Sequence, residues 1–386
     1  MLLKRLLLCC SLLISFRDEG YAMTVYLLSN HGNVGDHNQV LGIFTALQSL
    51  SQQDLGVKDF DTKTTSPAVL KEAIEKDLTH EKVIVMGAGE GGIDGIADLS
   101  SNPNLIICLS SHMFLERYKD PALLEKVSFI ALPTHVSANI KKRLGRKLIE
   151  TVGVAHNRHP AEATKVYEAW EAKELPSSPT YLGVILGGDA PVPESKEIKL
   201  FSEEDANNLA EYIANNAKGA YILVLNGPRT GKYDKNRKEI STIHKKGQAD
   251  SITNFFKAKL SKKGIAKVKI FDFQHNTPEN KAWVSPYNCF DLVAGALKAT
   301  GGKILVPGES STSISESVDV LSPTQVIVYK NNAMNEVHKD HVASEFAAGR
   351  ISILEDYQTV RSGSSPSKET SPAALTIAQK LLKESR

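Results

Sequence analysis

From residue 24 onward, short apolar runs alternate with longer stretches in which apolar residues recur every three or four positions. The run at 24–28 is followed by a loop over 30–36 holding Gly32 and Gly35, then by Val40, Leu41, Phe44 and Leu47 at helical spacing. This order predicts a strand, a glycine-rich loop and a helix. Further strands are predicted at 83–86, 105–109 and 127–132, separated by gaps long enough for helices, as in a parallel sheet. Residues 160–173 read as a helix with Pro160 in its first turn. A Pro and Ser cluster at 174–180 interrupts the pattern, which then restarts with strands at 181–186, 221–225, 268–273, 303–306 and 325–329. Ser202, with Asp205 three residues on, is a capping box that opens a helix. The Ser- and Pro-rich stretch 361–372 reads as a linker, and 373–383 as a helix returning toward the first lobe. The expected class is therefore α/β with two Rossmann-like lobes: a leader at 1–22, lobes at 23–175 and 176–357, and a linker with closing helix at 358–386.

Composition narrows the function rather than the fold. A chain of 386 residues with 41% hydrophobic and 23% charged residues is ordinary globular material. The 46 basic and 44 acidic residues are interspersed, which argues against a nucleic-acid partner. Cys9, Cys10, Cys108 and Cys289 show no C-x-x-C spacing, so neither a disulfide framework nor a structural metal is indicated. Lys4 and Arg5 precede an apolar run at 6–16 that has the length of a signal-peptide core and is too short to span a membrane. Arg17, Asp18 and Glu19 make a poor cleavage region, and Met23 directly precedes the first strand. Two readings stand: an export signal or membrane-surface anchor, or a true start at Met23 with the protein in the cytoplasm or at the inner face of the membrane.

In doubly wound sheets, ligands bind outside the carboxyl ends of the strands. Gly187-Gly188-Asp189 follows the strand at 181–186, and residues without side chains let backbone N–H groups approach a phosphate. After 221–225 come Asn226, Gly227, Pro228, Arg229, Thr230, Gly231 and Lys232. Arg229 offers a bidentate fork and Lys232 a mobile charge, both suited to a pyrophosphate. This is not a Walker A loop, because Tyr233 stands where the magnesium-binding hydroxyl is needed. Lys235, Arg237, Lys238, Lys245 and Lys246 continue as a solvated basic loop. Gly308, Glu309 and Ser310 lead into a helix with Ser313 and Glu316 near its start. Its free amides suit an anion, and Glu309 or Glu316 suits ribose hydroxyls. Singly, each loop is also what a plain turn or a serine-capped helix looks like; together they predict a nucleotide site.

In the first lobe, residues 87–92 match G-x-G-x-x-G, but they do not follow the lobe's first strand and no acidic partner follows at the right distance. They read as a backbone-lined wall rather than a dinucleotide site. His31, Asp36 and His37 lie in the first strand–helix loop, where an imidazole is a suitable base toward an acceptor hydroxyl. The alternatives are a helix N-cap for Asp36 and a structural role for His37. His112, His135, His156 and His159 are scattered, and His338 and His341 fall in a charged helix expected to be exposed, so no metal is implied.

The segments GNVGDHNQVLGIFTAL, LPTHVSAN, VGVAHNRHPAEA, LGGDA, NGPRTGK and PGESSTSISESV, in that order, resemble the mitochondrial-fission-protein-like family of bacterial glycosyltransferase-type proteins from about residue 23 to 329. The resemblance implies a GT-B fold, with the nucleotide gripped by the C-terminal lobe, the acceptor placed against the N-terminal one, and no required metal. It implies transfer of a sugar from a nucleoside-diphosphate sugar, with no further cofactor, to an unknown acceptor such as a cell-envelope glycan or lipid. Arg229, Lys232 and the amides around Gly188 and Ser310 would stabilise the departing diphosphate, His37 or else Asp36 would take the acceptor proton, and Glu309 would read the ribose. A sugar-nucleotide 2-epimerase and a non-catalytic recruiting protein are the alternatives.

Overall fold

The structure is a computed structural model describing residues 23–136, 138–192, 195, 197–240, 249–273, 285–363 and 370–385. The leader at 1–22, Lys245, Lys246 and half of the expected linker lie outside the described residues. Two compact units divide the chain: the first runs to Ala131 and includes Arg143–Ile149 and the chain from Ala374, and the second comprises Leu132–Lys142 and Glu150–Ala373.

The first part of the chain forms β1 (Met23–Ser29), α1 (Val34–Leu50), β2 (Leu55–Asp61), α2 (Pro67–Asp77), β3 (Lys82–Ala88), α3 (Gly89–Gly95), β4 (Leu105–Ser110), α4 (Pro121–Lys126), β5 (Phe129–Pro133), α5 (Ala138–Leu144) and β6 (Leu148–Thr151). The sheet order is β2-β1-β3-β4-β5-β6, and β2, β1, β3, β4 and β5 are parallel. Every residue of β1 is buried, which is why it reads as a continuous apolar run. By contrast β2, unpredicted from sequence, is an edge strand (LGVKDFD) with only Leu55 buried, so its polar positions hide it. The chain leaves β1 for one side of the sheet and returns to β3 on the other. Between β1 and β3 lies the reversal point at which such sheets bind ligands.

The second unit contains α6 (Pro160–Glu174), β7 (Tyr181–Ile185), the short pair β8 (Ala190–Pro191) and β9 (Ile198–Lys199), α7 (Glu203–Asn216), β10 (Tyr221–Leu225), α8 (Ser251–Lys262), β11 (Val268–Phe271), α9 (Cys289–Thr300), β12 (Lys303–Pro307), α10 (Ser311–Val320), β13 (Val326–Tyr329), α11 (Glu336–Ala347), β14 (Ser352–Glu355) and β15 (Thr359–Ser362). Its sheet runs β11-β10-β7-β12-β13-β14-β15, parallel except for β15, which pairs antiparallel with β14. The reversal point falls between β7 and β12. The expected capping box at Ser202 and Asp205 opens α7.

Two boundaries differ from the sequence reading. Helix α6 belongs to the second unit, because Ala163, Val166, Tyr167 and Trp170 pack into that unit's core with α9; the Pro and Ser cluster is a turn within the unit. Residues 359–362 are a strand of the second sheet rather than linker, and Arg361 lies over the Phe346 ring. The last helix, α12 (Ala373–Ser385), does join the first unit from Ala374 onward. There it buries Ala374, Ile377, Ala378 and Leu381, and Lys82 Nζ donates to the Ser385 carbonyl at 2.7 Å.

The glycines at 87–92 serve packing. A Cβ on Gly92 would lie 2.6 Å from the Gly87 carbonyl carbon, and one on Gly87 would lie 2.9 Å from Gly92 Cα, so α3 rests directly on the β3 backbone. Because both obstacles are main chain, Gly92→Ala is expected to destabilise the first unit by about 1–3 kcal/mol, the usual range for overpacking. Chemical denaturation of wild type and variant checks this; equal midpoints would mean that α3 shifts freely.

Candidate functional site

The loops after β7 and β12 meet at the reversal point of the second sheet. Gly188 N–H donates to Glu309 Oε1 at 2.7 Å, and Asp189 N–H donates to the Arg229 carbonyl at 2.9 Å. Gly188 must be glycine here, since a Cβ would lie 2.8 Å from Arg229 Cβ and 3.1 Å from its carbonyl carbon. Thus Gly187, Gly188, Asp189, Arg229, Gly308, Glu309 and Ser310 form one neighbourhood, as the loop reading expects. Ser310 is the N-cap of α10 but makes no capping bond, because its Oγ donates to Ser313 Oγ at 2.8 Å. The first-turn amides of α10 are thereby left without a side-chain cap, at the positive end of the helix dipole.

Several of the side chains expected to touch the ligand also make bonds within the loops. Glu309 is 1% exposed; beyond Gly188 it accepts from Asn331 Nδ2, so both of its oxygens are engaged within the protein. Burial pushes its carboxyl pKa up, against the lowering effect of Asn331, the Gly188 amide and Arg229. Asp189 is also buried and accepts from Phe201 N–H at 3.0 Å and Tyr233 N–H at 2.9 Å. Asn226 Nδ2 is bound by Asp250 and Thr253, each at 3.0 Å, and by Asp272 at 2.6 Å. The Thr230 hydroxyl closes its own turn by accepting from Gly227 N–H at 3.0 Å. Lys232 pairs with Glu239 at 3.4 Å and Glu316 with Arg158 at 3.4 Å. Arg229 differs. Half-buried, it is close enough to lower the pKa values of Asp189 and Glu309, yet its guanidinium makes no ion pair or hydrogen bond among the described residues.

A cavity of about 540 Å³ opens beside the ends of β7, β10 and β11, within the range of small-ligand sites. Asn226, Gly227, Ser313 and Glu316 line it together with Tyr287 and Phe290. The aromatic wall was not legible in the sequence, because residues 285–290 carry neither a motif nor a strand pattern.

At the reversal point of the first sheet, α1 begins with Asn33, not Asp36, as its N-cap. Asp36 is buried and accepts from Asn33 Nδ2 at 2.6 Å and Gln39 Nε2 at 3.3 Å. Burial, with a smaller contribution from Glu90, raises its pKa to about 6. His37 Nδ1 lies 3.0 Å from Ser29 Oγ, and its Nε2 lies 3.7 Å from Asp59 Oδ2. Burial lowers the His37 pKa, Asp59 opposes that shift, and His31 adds to it. Ser29 and Asp59 were missed in the sequence, since one ends a buried strand and the other sits in the unrecognised β2. His341 corrects a further expectation: far from exposed, it is fully buried in the second unit, with its ring centroid 4.7 Å from that of His135.

No family model matches this chain, and a search of curated proteins finds no match. Solved structures do resemble it. MurG of Acinetobacter baumannii is similar over 93% of this chain and 90% of its own at 10% identity, with a TM-score of 0.41. The UDP-forming α,α-trehalose-phosphate synthase of Burkholderia xenovorans, in complex with glucose-6-phosphate, is similar over 95% and 92% at 9% identity, with a TM-score of 0.42. TcCGT1 in complex with UDP covers 95% and 91% at 11% identity, with a TM-score of 0.40. At that level of similarity, the ligands named for those proteins do not transfer to this chain.

Proposed function

We propose that this chain is a glycosyltransferase that takes its sugar from a nucleoside-diphosphate sugar bound to the second unit. The observation that carries this reading is the uncapped α10 N-terminus beside Arg229, whose guanidinium has no partner among the described residues, at the β7/β12 reversal point, an arrangement suited to a diphosphate. Beside it, the cavity walled by Tyr287 and Phe290 is apt for a nucleoside. The bond from the sugar's anomeric carbon to the diphosphate oxygen breaks and a bond to an acceptor oxygen forms. The diphosphate leaves with the electron pair, its charge met by Arg229, Lys232 and the backbone amides, with no metal required there. The acceptor's proton passes to His37 Nε2, the ring being held at Nδ1 by Ser29. Under this reading the acceptor is a cell-envelope glycan or lipid and the work is cytoplasmic, at the inner face of the membrane; among the described residues no helix is long and apolar enough to cross one. The ordered motifs further support membership of the mitochondrial-fission-protein-like family.

Arg229→Ala is expected to weaken donor binding by about 1.5–3 kcal/mol, the value of a charged hydrogen bond, with the fold intact. Calorimetry with a panel of nucleotide sugars measures it, and unchanged affinity would remove Arg229 from the site. Should the donor alone be converted to an epimer with no transfer to any acceptor, the transferase reading fails in favour of an epimerase. His37→Ala should cut turnover about a hundredfold or more while sparing donor affinity; comparable turnover in a folded variant would exclude His37 as the base.

Asp36 is separable from His37 by pH. Its folded-state pKa of about 6 exceeds the ordinary 3.8, so its contribution to stability is greatest below the unfolded value and is lost as pH rises through the folded one. Asp36→Asn removes that loss. Between pH 4 and 7.5 the stability difference should therefore move in the variant's favour by up to about 3 kcal/mol. Urea titrations across that range test this, and a pH-independent difference would show that Asp36 ionises normally.

A further inference from the structure

Two imidazoles and one carboxylate converge at the C-terminal ends of β1 and β2. His31 Nε2 lies 3.1 Å from Asp59 Oδ1, and His37 Nε2 lies 3.7 Å from Oδ2. One ligand atom from each residue falls within 4.8 Å of the others. Ligands at zinc–nitrogen and zinc–oxygen distances of about 2.0–2.1 Å stand about 3.3 Å apart around a tetrahedral ion. The two measured separations bracket that edge.

The surroundings fit a cation as well. Ser29 engages Nδ1 of His37, fixing the ring and leaving Nε2 as the ligand atom, in the manner of outer-shell partners in metal sites. Asp61, at the end of β2, accepts from His31 N–H at 3.2 Å and Lys63 N–H at 3.0 Å, placing a second negative charge nearby. The three side chains are 36%, 23% and 36% exposed, so an ion reaches them from solvent and keeps a position open for water. The two imidazole rings stand 4.2 Å apart, each with Nε2 toward a different oxygen of the Asp59 carboxylate. A single divalent ion satisfies all three groups.

We propose that His31, His37 and Asp59 bind one divalent transition-metal ion, with zinc the best match to two imidazoles and one carboxylate. Magnesium and calcium, which take oxygen ligands, are poor matches. Binding stands apart from the transferase reading, but one consequence rests on it: an ion on His37 Nε2 occupies the lone pair that would take the acceptor's proton, so zinc and acceptor compete.

The test is titration of the chelator-stripped full chain with zinc chloride and, separately, magnesium chloride by calorimetry. One zinc ion per chain and no magnesium uptake are expected. His31→Ala and Asp59→Asn should abolish stoichiometric uptake, and Ser29→Ala should weaken it by about 10–100-fold. Anomalous scattering at the zinc edge from crystals of the wild type should place the ion among the three side chains. Absence of stoichiometric uptake, uptake unchanged in either ligand variant, or anomalous density elsewhere would overturn the site. Nucleotide-sugar affinity of His31→Ala, measured on the same samples, should match wild type, which separates failure of the metal site from failure of the transferase reading.

Discussion

The geometry of the second unit's site hangs on one buried carboxylate. Glu309 holds the loop after β7 through the Gly188 amide and the loop after β13 through Asn331, while itself following β12. Three neighbouring strands of the sheet are thus tied at their carboxyl ends by a single side chain. A carboxylate taken out of water costs several kcal/mol unless its oxygens are bonded, so the three loops are stable together in one arrangement and poorly otherwise. Arg229 contributes its field to the same cluster, with its donors uncommitted among the described residues. That combination leaves a rigid, electropositive floor beneath the α10 amides.

Much of the fold was legible because parallel strands buried on both faces announce themselves as apolar runs. β1, β3, β4, β7, β10 and β12 were all predicted near their observed limits. What escaped was at the edges. β2 presents Lys58 and Asp59 to solvent, and β15 reads Thr-Val-Arg-Ser; neither carries a hydrophobic signal, since an edge strand has less apolar surface to bury. The Pro and Ser cluster before β7 looked like a lobe boundary, yet chain-breaking residues mark any tight turn, and only the apolar face of α6 reveals which core it completes.

For the candidate sites, sequence located the loops better than the roles. The glycines were placed at the reversal point because their need for close backbone approach is local. Asp189, Asn226, Thr230 and Glu309, read as ligand contacts, have side chains bonded within the protein, and a polar residue in a loop carries no mark of whether its partner is a ligand or the loop itself. Glu309 and Asp189 are spent on backbone amides from residues far away in sequence, and that information exists only in the folded chain. His37 drew attention by its type, but its charged neighbour Asp59 came from the strand that was not seen.

The position of α12 bears on how this protein can be made. The first unit's core includes Ile377, Ala378 and Leu381, contributed from beyond the whole of the second unit. During synthesis, the amino-terminal sheet therefore emerges with an apolar surface that stays uncovered until about 220 further residues have left the ribosome, an interval long enough for that surface to seek other company. The second unit, whose strands and covering helices are contiguous in sequence, has no such wait. Folding order is accordingly inverted relative to chain order: the later unit can finish first, and the earlier one is sealed last.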